Sequence, residues 1–133
     1  FSDDLLEWGP SEVLYEGHEQ WESYKVGASC PPIEVDKGWL LIYHAVDEID
    51  RNYRVGILLL DKNDPRKILA RTRKFVLEPD QNYENTGLYD GCVFPTGAVL
   101  RNNVIYMYYG CADKFVSVAT ATLDEVYDFL NVK

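Results

Sequence analysis

Hydrophobic residues in this chain come in short runs that are separated by polar turns rich in Gly, Pro, Asn and Asp. Residues 39–43 are apolar without alternation, which is typical of a strand buried on both faces, and residues 53–60 are predicted as another buried strand. Two hairpins are predicted, one turning at Asp36, Lys37 and Gly38 and the other at residues 101–103. The pattern therefore favours a sheet protein.

The remaining segments are less regular. Residues 67–77 alternate partly and are predicted as an exposed edge strand, followed by a long polar loop at 78–91. Leu123–Leu130 is the only helix that the pattern indicates, with Thr122 as a candidate N-cap.

An internal repeat gives the strongest indication of architecture. LIYHAVD, ending at Asp47, aligns with MYYGCAD, ending at Asp113, and each follows a hairpin entered through a proline. The copies lie roughly 65 residues apart, and repetition of a small sheet at such a period is the mark of a β-propeller. The fold class predicted is all-β, a partial propeller of about two blades with a short C-terminal helix.

Composition narrows the possible partners. The chain has 133 residues, 47% of them hydrophobic, and a formal net charge of −9. Nucleic acids and anionic membranes are excluded as main partners because both need a cationic surface, and no apolar run approaches a membrane span of about 20 residues. The three cysteines show no CxxC spacing, so buried free thiols are expected, with one disulfide and an orphan as the alternative.

Two residues of the first repeat could bind an anion. His44 ends an apolar strand where the second copy has Gly110, and Lys25 stands between an aromatic residue and Val-Gly. The hairpin folds them toward each other, and together these two cationic side chains could hold a phosphate through charge-assisted hydrogen bonds. The alternatives are a core histidine and a surface lysine that extends its amine into solvent.

Three further residues could contact a sugar. Asp113 follows the end of a strand and could either cap a turn or accept hydrogen bonds from sugar hydroxyls. Tyr53 and Phe94 are either core aromatics or a platform for a sugar ring. No GxSxG, HExxH, phosphate-loop or Cys/His metal motif is present in the sequence.

Five segments together resemble glycoside hydrolase family 130, a family of five-bladed propellers that contains β-mannoside phosphorylases and β-1,2-mannosidases. They are KVGASCPPI, GWLLIYHAVD, YRVGILLLDKNDP, GLYDGCVFPTGAV and YMYYGCAD. The resemblance covers nearly the whole chain. It implies that residues 1–133 are the C-terminal part of a single propeller domain whose N-terminal blades are absent.

The resemblance also implies a reaction. Family phosphorylases cleave a β-mannosidic bond with inversion, using inorganic phosphate as co-substrate, and release mannose 1-phosphate. By the matching motifs, Lys25 and His44 bind phosphate, while Tyr53, Phe94 and Asp113 bind the sugar. The general acid, an Asp, and two arginines are expected upstream, so no catalytic residue is assigned here and the fragment is expected to be inactive alone.

Two other functions stay open: a β-mannosidase of the same family, and a non-catalytic carbohydrate-binding propeller. Retention of Lys25 and His44 favours the phosphorylase, because similar hydrolases lose the basic cluster. Asp90 and Gly91 replace a Pro-Asn pair common in the family, which leaves the acceptor sugar open. No cofactor or metal is expected; the cytoplasm is the expected location, since a sugar phosphate is useful inside the cell, and a homo-oligomer is an open possibility.

Overall fold

The computed structural model describes residues 2–133; Phe1, where the predicted domain begins, lies outside the described residues. Within residues 2–133, eight strands and two α-helices follow a 3-10 turn at Gln20–Glu22. The strands are β1 (Lys25–Ala28), β2 (Ile33–Val35), β3 (Gly38–Val46), β4 (Tyr53–Leu60), β5 (Ile68–Arg71), β6 (Val93–Arg101), β7 (Val104–Cys111) and β8 (Phe115–Thr122). The helices are α1 (Asn82–Asn85) and α2 (Leu123–Leu130), so the predicted all-β class with a short C-terminal helix is confirmed.

The first sheet has the order β1-β3-β4-β5, and β2 also pairs with β3. All pairs are antiparallel, and the β2–β3 hairpin turns at the predicted position. Gly38 has a φ of 147°, and a Cβ there would lie 2.1 Å from the carbonyl oxygen of Leu60. The glycine therefore lets two backbones approach where a side chain could not fit.

The second sheet has the order β6-β7-β8, again antiparallel throughout. Its first hairpin turns at Asn102 and Asn103, which have φ values of 51° and 63°. Two consecutive left-handed residues make a type I′ turn, whose twist matches the twist of the two strands that it joins. Asparagine tolerates this conformation well.

The main core lies between the two sheets. Leu40, Ile42 and Val55 of the first sheet belong to the same buried cluster as Ile105 and Met107 of the second. The opposite face of the first sheet is also covered, in a second cluster around Trp21, Tyr43 and Leu58. Both faces of β3 and β4 are thus buried, which explains their unbroken apolar sequences.

The second sheet is covered on one face only. Its other face exposes apolar side chains from all three strands: Val99 at 53% of its full area, Tyr108 at 46%, Val116 at 80% and Val118 at 50%. In the register of the sheet Tyr108 lies directly opposite Val118, so these side chains form a continuous surface. We refer to these four residues as the open face.

Helix α2 forms as predicted. The Thr122 hydroxyl accepts a hydrogen bond from the Glu125 amide, and the Glu125 carboxylate accepts one from the Thr122 amide, which makes a capping box. Asn131 ends the helix in the left-handed conformation. No helix within residues 2–133 combines the length and the apolar character that a membrane span requires.

The predicted edge strand at 67–77 is wrong in extent. Ladder pairing with β4 is confined to β5 (Ile68–Arg71), with a register shift between Leu59 and Leu60, and returns as an isolated bridge between Val55 and Leu77. The chain leaves the sheet between these points because Phe75 packs edge-on against Trp21, with ring centroids 6.1 Å apart. The three cysteines are buried free thiols, as expected from their spacing.

Candidate functional site

Four of the five predicted site residues meet where the interface between the two sheets opens. His44 lies two residues after Ile42 along β3, so both side chains leave the same face of the strand. His44 therefore points toward the second sheet, near the end of the core. Tyr53 begins β4, and Phe94 reaches across from β6. The His44 ring lies 5.7 Å from the Tyr53 ring and 4.5 Å from the Phe94 ring, between centroids.

Lys25 enters this cluster from β1. It stands opposite Val46 in the antiparallel register, as does Tyr53 from the other side of β3. The Lys25 Nζ donates a hydrogen bond of 2.6 Å to the Tyr53 hydroxyl. Lys25 is exposed, so its ammonium group is a charge that solvent and a ligand can both reach.

His44 is buried, with 8% of its area exposed, and its Nδ1 lies 3.1 Å from the Ser29 hydroxyl oxygen. Burial, and secondarily the positive charge of Lys25, lowers the pKa of His44 to about 4. The ring is therefore neutral near pH 7. The site holds one cation, Lys25, beside a neutral imidazole, which corrects the sequence-based view of two cationic side chains.

Asp113 lies apart from these four residues. It follows β7 in a turn where Ala112 and Asp113 both have left-handed backbone conformations, with φ values of 49° and 52°. No hydrogen bond, ion pair or ring contact found within residues 2–133 joins its side chain to the other four. Burial raises the pKa of the Cys92 thiol to about 12; Asp113 adds to this rise, and Lys25 acts on the same thiol in the opposite direction.

Tyr89 belongs to the site and was missed by the sequence analysis. Its ring packs edge-on against Tyr53 at 5.3 Å, and its hydroxyl donates a 3.3 Å hydrogen bond to the carbonyl of Arg51. The loop carrying Tyr89 is attached to β4, since the Tyr53 amide donates to the carbonyl of Gly91 over 2.8 Å. Nothing in the local sequence pattern distinguishes Tyr89 from a solvated loop residue, because its position depends on the path of the whole loop.

A buried carboxylate holds that loop. Glu84 is 2% exposed and accepts hydrogen bonds from the amides of Asp80 and Gln81 and from the Tyr109 hydroxyl. Burial alone would raise the pKa of Glu84, but these hydrogen bonds outweigh it and the pKa is lowered. The sequence pattern predicts a polar loop over residues 78–91, whereas these residues contain this buried carboxylate and helix α1.

The arrangement suits recognition of an anion next to a sugar. An exposed ammonium group and a buried imidazole offer hydrogen-bond donors on one side. Tyr53, Phe94 and Tyr89 offer apolar ring surface on the other, against which the C–H face of a sugar can pack. In residues 2–133 no group of three or more His, Cys, Asp or Glu side chains is placed to hold a metal ion.

Comparison with known proteins identifies relatives of this chain. The chain is 40% identical, over 127 residues, to a 1,2-β-oligomannan phosphorylase of Thermoanaerobacter sp., covering 95% of this chain and 43% of that protein. It is 36% identical, over 133 residues, to a β-1,4-mannooligosaccharide phosphorylase of Ruminococcus albus, covering 97% of this chain and 40% of that protein. The chain thus spans less than half the length of these two relatives.

A solved structure of a related protein shows a similar degree of sequence identity and a similar fold. The β-1,2-mannobiose phosphorylase of Listeria innocua, in complex with β-1,2-mannobiose, superposes with a TM-score of 0.82 at 36% identity. The match covers 89% of this chain and 33% of that one. The family model Glyco_hydro_130, described as β-1,4-mannooligosaccharide phosphorylase, matches residues 1–132. The chain therefore belongs to glycoside hydrolase family 130.

Proposed function

We propose that the whole protein is an inverting β-mannoside phosphorylase and that this chain carries part of its phosphate and sugar sites. The observation that carries the proposal is the position of Lys25 beside neutral His44, with Tyr53 and Phe94 against them. Relatives named as mannoside phosphorylases support the same reaction class.

Lys25 and His44 bind the phosphate in this proposal. The Lys25 ammonium group supplies the positive charge that a phosphate dianion requires, and it can leave the Tyr53 hydroxyl because it is exposed to solvent. His44 adds a directional N–H donor without a second charge. One cation and one neutral donor hold the nucleophile in place while leaving part of its negative charge available for attack.

Tyr53, Phe94 and Asp113 bind the mannoside. Tyr53 and Phe94 lie 6.0 Å apart between centroids and form a tilted pair of rings beside the phosphate position. Asp113 is exposed at the end of β7, and its carboxylate can accept hydrogen bonds from sugar hydroxyls. The sugar would therefore lie between the ring surfaces and this carboxylate.

The reaction then follows a single displacement. A phosphate oxygen forms a bond to the anomeric carbon as the bond from that carbon to the glycosidic oxygen breaks, and the departing oxygen keeps the electron pair. A general acid protonates that oxygen; the residue is expected in a part of the protein outside this chain. The products are mannose 1-phosphate, with inverted configuration, and the shortened sugar.

The two sheets are two blades of a five-bladed propeller in this proposal, and residues 1–133 are the C-terminal part of its one domain. The open face supports this assignment, because an apolar sheet surface of this kind is suited to pack against a further blade. The partial coverage of the relatives supports it as well. Inorganic phosphate is the co-substrate, no metal or cofactor is needed, and the cytoplasm is the location that retains the product.

The full-length protein should be incubated with β-1,2-mannobiose or β-1,4-mannobiose, with and without inorganic phosphate. We expect mannose 1-phosphate to form only when phosphate is present. Equal release of free mannose in both reactions would instead identify a hydrolase. Binding of the disaccharide with no product in either reaction would identify a carbohydrate-binding propeller.

A further inference from the structure

Strand β1 and the residue that follows it place three residues on the side of His44. Lys25, Gly27 and Ser29 are spaced two residues apart in an extended segment, so they lie on the same side of it. Gly27 stands directly opposite His44 in the register of β1 and β3. The three positions offer a charge, an empty space and a hydroxyl group, in that order.

Gly27 provides the space for the ring. A Cβ at this position would lie 2.7 Å from Cε1 and 2.8 Å from Nε2 of His44, closer than real Cβ contacts allow. These are ring atoms on a buried side chain, so relief would require the whole imidazole to move. Any residue larger than glycine would therefore displace His44 from its position beside Phe94.

Ser29 contacts the other edge of the ring. Its hydroxyl oxygen lies 3.1 Å from Nδ1, and its amide donates to the carbonyl of Ile42 over 3.2 Å, which fixes the backbone from which the hydroxyl extends. A neutral imidazole has one donor nitrogen and one acceptor nitrogen. If the hydroxyl donates to Nδ1, then Nε2, the ring nitrogen that Ser29 does not contact, carries the proton.

We propose that Ser29 and Gly27 are positioning residues that hold His44 as the neutral Nε2–H tautomer, with this N–H directed at a phosphate oxygen beside Lys25. Ser29 sets which nitrogen donates, and Gly27 sets where that nitrogen lies. The part of this inference that concerns phosphate depends on the proposed function. The part that concerns the tautomer does not.

The tautomer can be measured directly. In the full-length protein labelled with ring-¹⁵N histidine, the ¹⁵N chemical shifts distinguish protonated from unprotonated nitrogens, and a His44→Gln variant assigns the signals. We expect Nε2 to carry the proton in the wild type, and Ser29→Ala to produce a mixture of both tautomers. A proton on Nδ1 in the wild type would overturn the proposal.

Kinetics test the consequence for phosphate. A neutral hydrogen bond of ordinary strength predicts that Ser29→Ala raises the KM for phosphate by about two- to tenfold, with a smaller change in kcat and in the KM for the mannoside. Ser29→Thr, which keeps the hydroxyl, should restore most of the affinity. Gly27→Ala should raise the same KM further, whereas Gly97→Ala is the matched control, because a Cβ at Gly97 would meet nothing within 4 Å.

Two failures are distinguishable. If His44→Gln leaves the KM for phosphate unchanged, the proposed phosphate role of His44 is wrong, and the Ser29 inference fails with it as far as phosphate is concerned. If His44→Gln raises that KM but Ser29→Ala changes neither the KM nor the tautomer ratio, the proposed function stands and the positioning role is wrong.

Discussion

The two sheets contain the same structural arrangement at equivalent positions. In the first, the Tyr43 hydroxyl donates to the buried carboxylate of Glu22, which also accepts from the amides of His18 and Glu19. In the second, the Tyr109 hydroxyl donates to buried Glu84, which accepts from two amides in the same way. Each carboxylate lies in a short helical turn with a capping box, and the tyrosine hydrogen bond attaches that turn to β3 in the first sheet and to β7 in the second.

The two sheets differ at the residue that follows this tyrosine in β3 and in β7. The first has buried His44, in contact with Ser29 and Phe94, and the second has Gly110, where an added Cβ would meet only the Phe94 carbonyl oxygen, at 3.9 Å. The second sheet forms without a histidine, so packing of the fold does not require one. The shared arrangement is thus structural support, and the difference at His44 marks the position where the first sheet acquires a chemical role.

The largest effect is expected at the charged residue that accompanies His44. Lys25→Ala should lower kcat/KM for phosphate in the full-length protein by about 100-fold, because a charge-assisted hydrogen bond contributes about 1.5–3 kcal/mol. Phosphate-dependence kinetics measure this. Lys62 follows the end of β4 that lies away from Tyr53, and it pairs with Glu34. Lys62→Ala also removes one positive charge and should leave phosphate kinetics unchanged. Equal losses in both variants would indicate a general effect of charge.

The second prediction uses the pH dependence of stability. Because burial lowers the pKa of His44 from 6.5 to about 4, the unfolded chain takes up the proton first as the pH falls. Stability linked to His44 is complete above about pH 6.5 and is lost between pH 6.5 and 4, up to a limit of about 3 kcal/mol. Urea unfolding of wild type and His44→Asn across this range isolates the contribution.

His18 provides the control for that measurement. It is the other histidine of the sequence and is exposed, so His18→Asn is the matched control for the loss of an imidazole. A His44→Asn protein whose stability follows the same pH profile as the wild type would show that the ring is not held neutral by the fold.

The third prediction concerns the hydrogen bond from a tyrosine to a buried glutamate that both sheets contain. Tyr43→Phe and Tyr109→Phe each remove one donor from a buried carboxylate, so each should lower the free energy of unfolding by about 2 kcal/mol. Tyr108→Phe, on an exposed neighbour of Tyr109, should change it by less than about 0.5 kcal/mol. Chemical denaturation compares the three. A large cost at Tyr43 with none at Tyr109 would mean that the two carboxylates are not equivalent.

Much of the fold was accessible from the sequence because its signals are local. The unbroken apolar run of β3, the turn at Gly38 and the capped helix α2 each depend on neighbours in the chain. The edge strand at 67–77 was overextended, because the contact of Phe75 with Trp21 draws the chain away from β4. That contact joins distant segments, and a local pattern does not record it.

The same distinction between local and long-range signals applies to the residues of the site. Lys25, His44, Tyr53 and Phe94 were recognised from the family motifs and do meet in the structure. The contact of Ser29 with His44 depends on the register between β1 and β3, and the position of Tyr89 depends on the path of its loop. Neither could be seen in the sequence, since short-range spacing does not define register or loop path.

A crystal structure of the full-length protein with bound phosphate and a mannoside tests the central claim most directly. We predict a phosphate oxygen within about 3 Å of Lys25 Nζ and another within about 3 Å of His44 Nε2, with the sugar against Tyr53 and Phe94. The equivalent position beside Gly110 should hold no phosphate. Phosphate bound elsewhere, with Lys25 still on the Tyr53 hydroxyl and His44 contacting only protein atoms, would contradict the account.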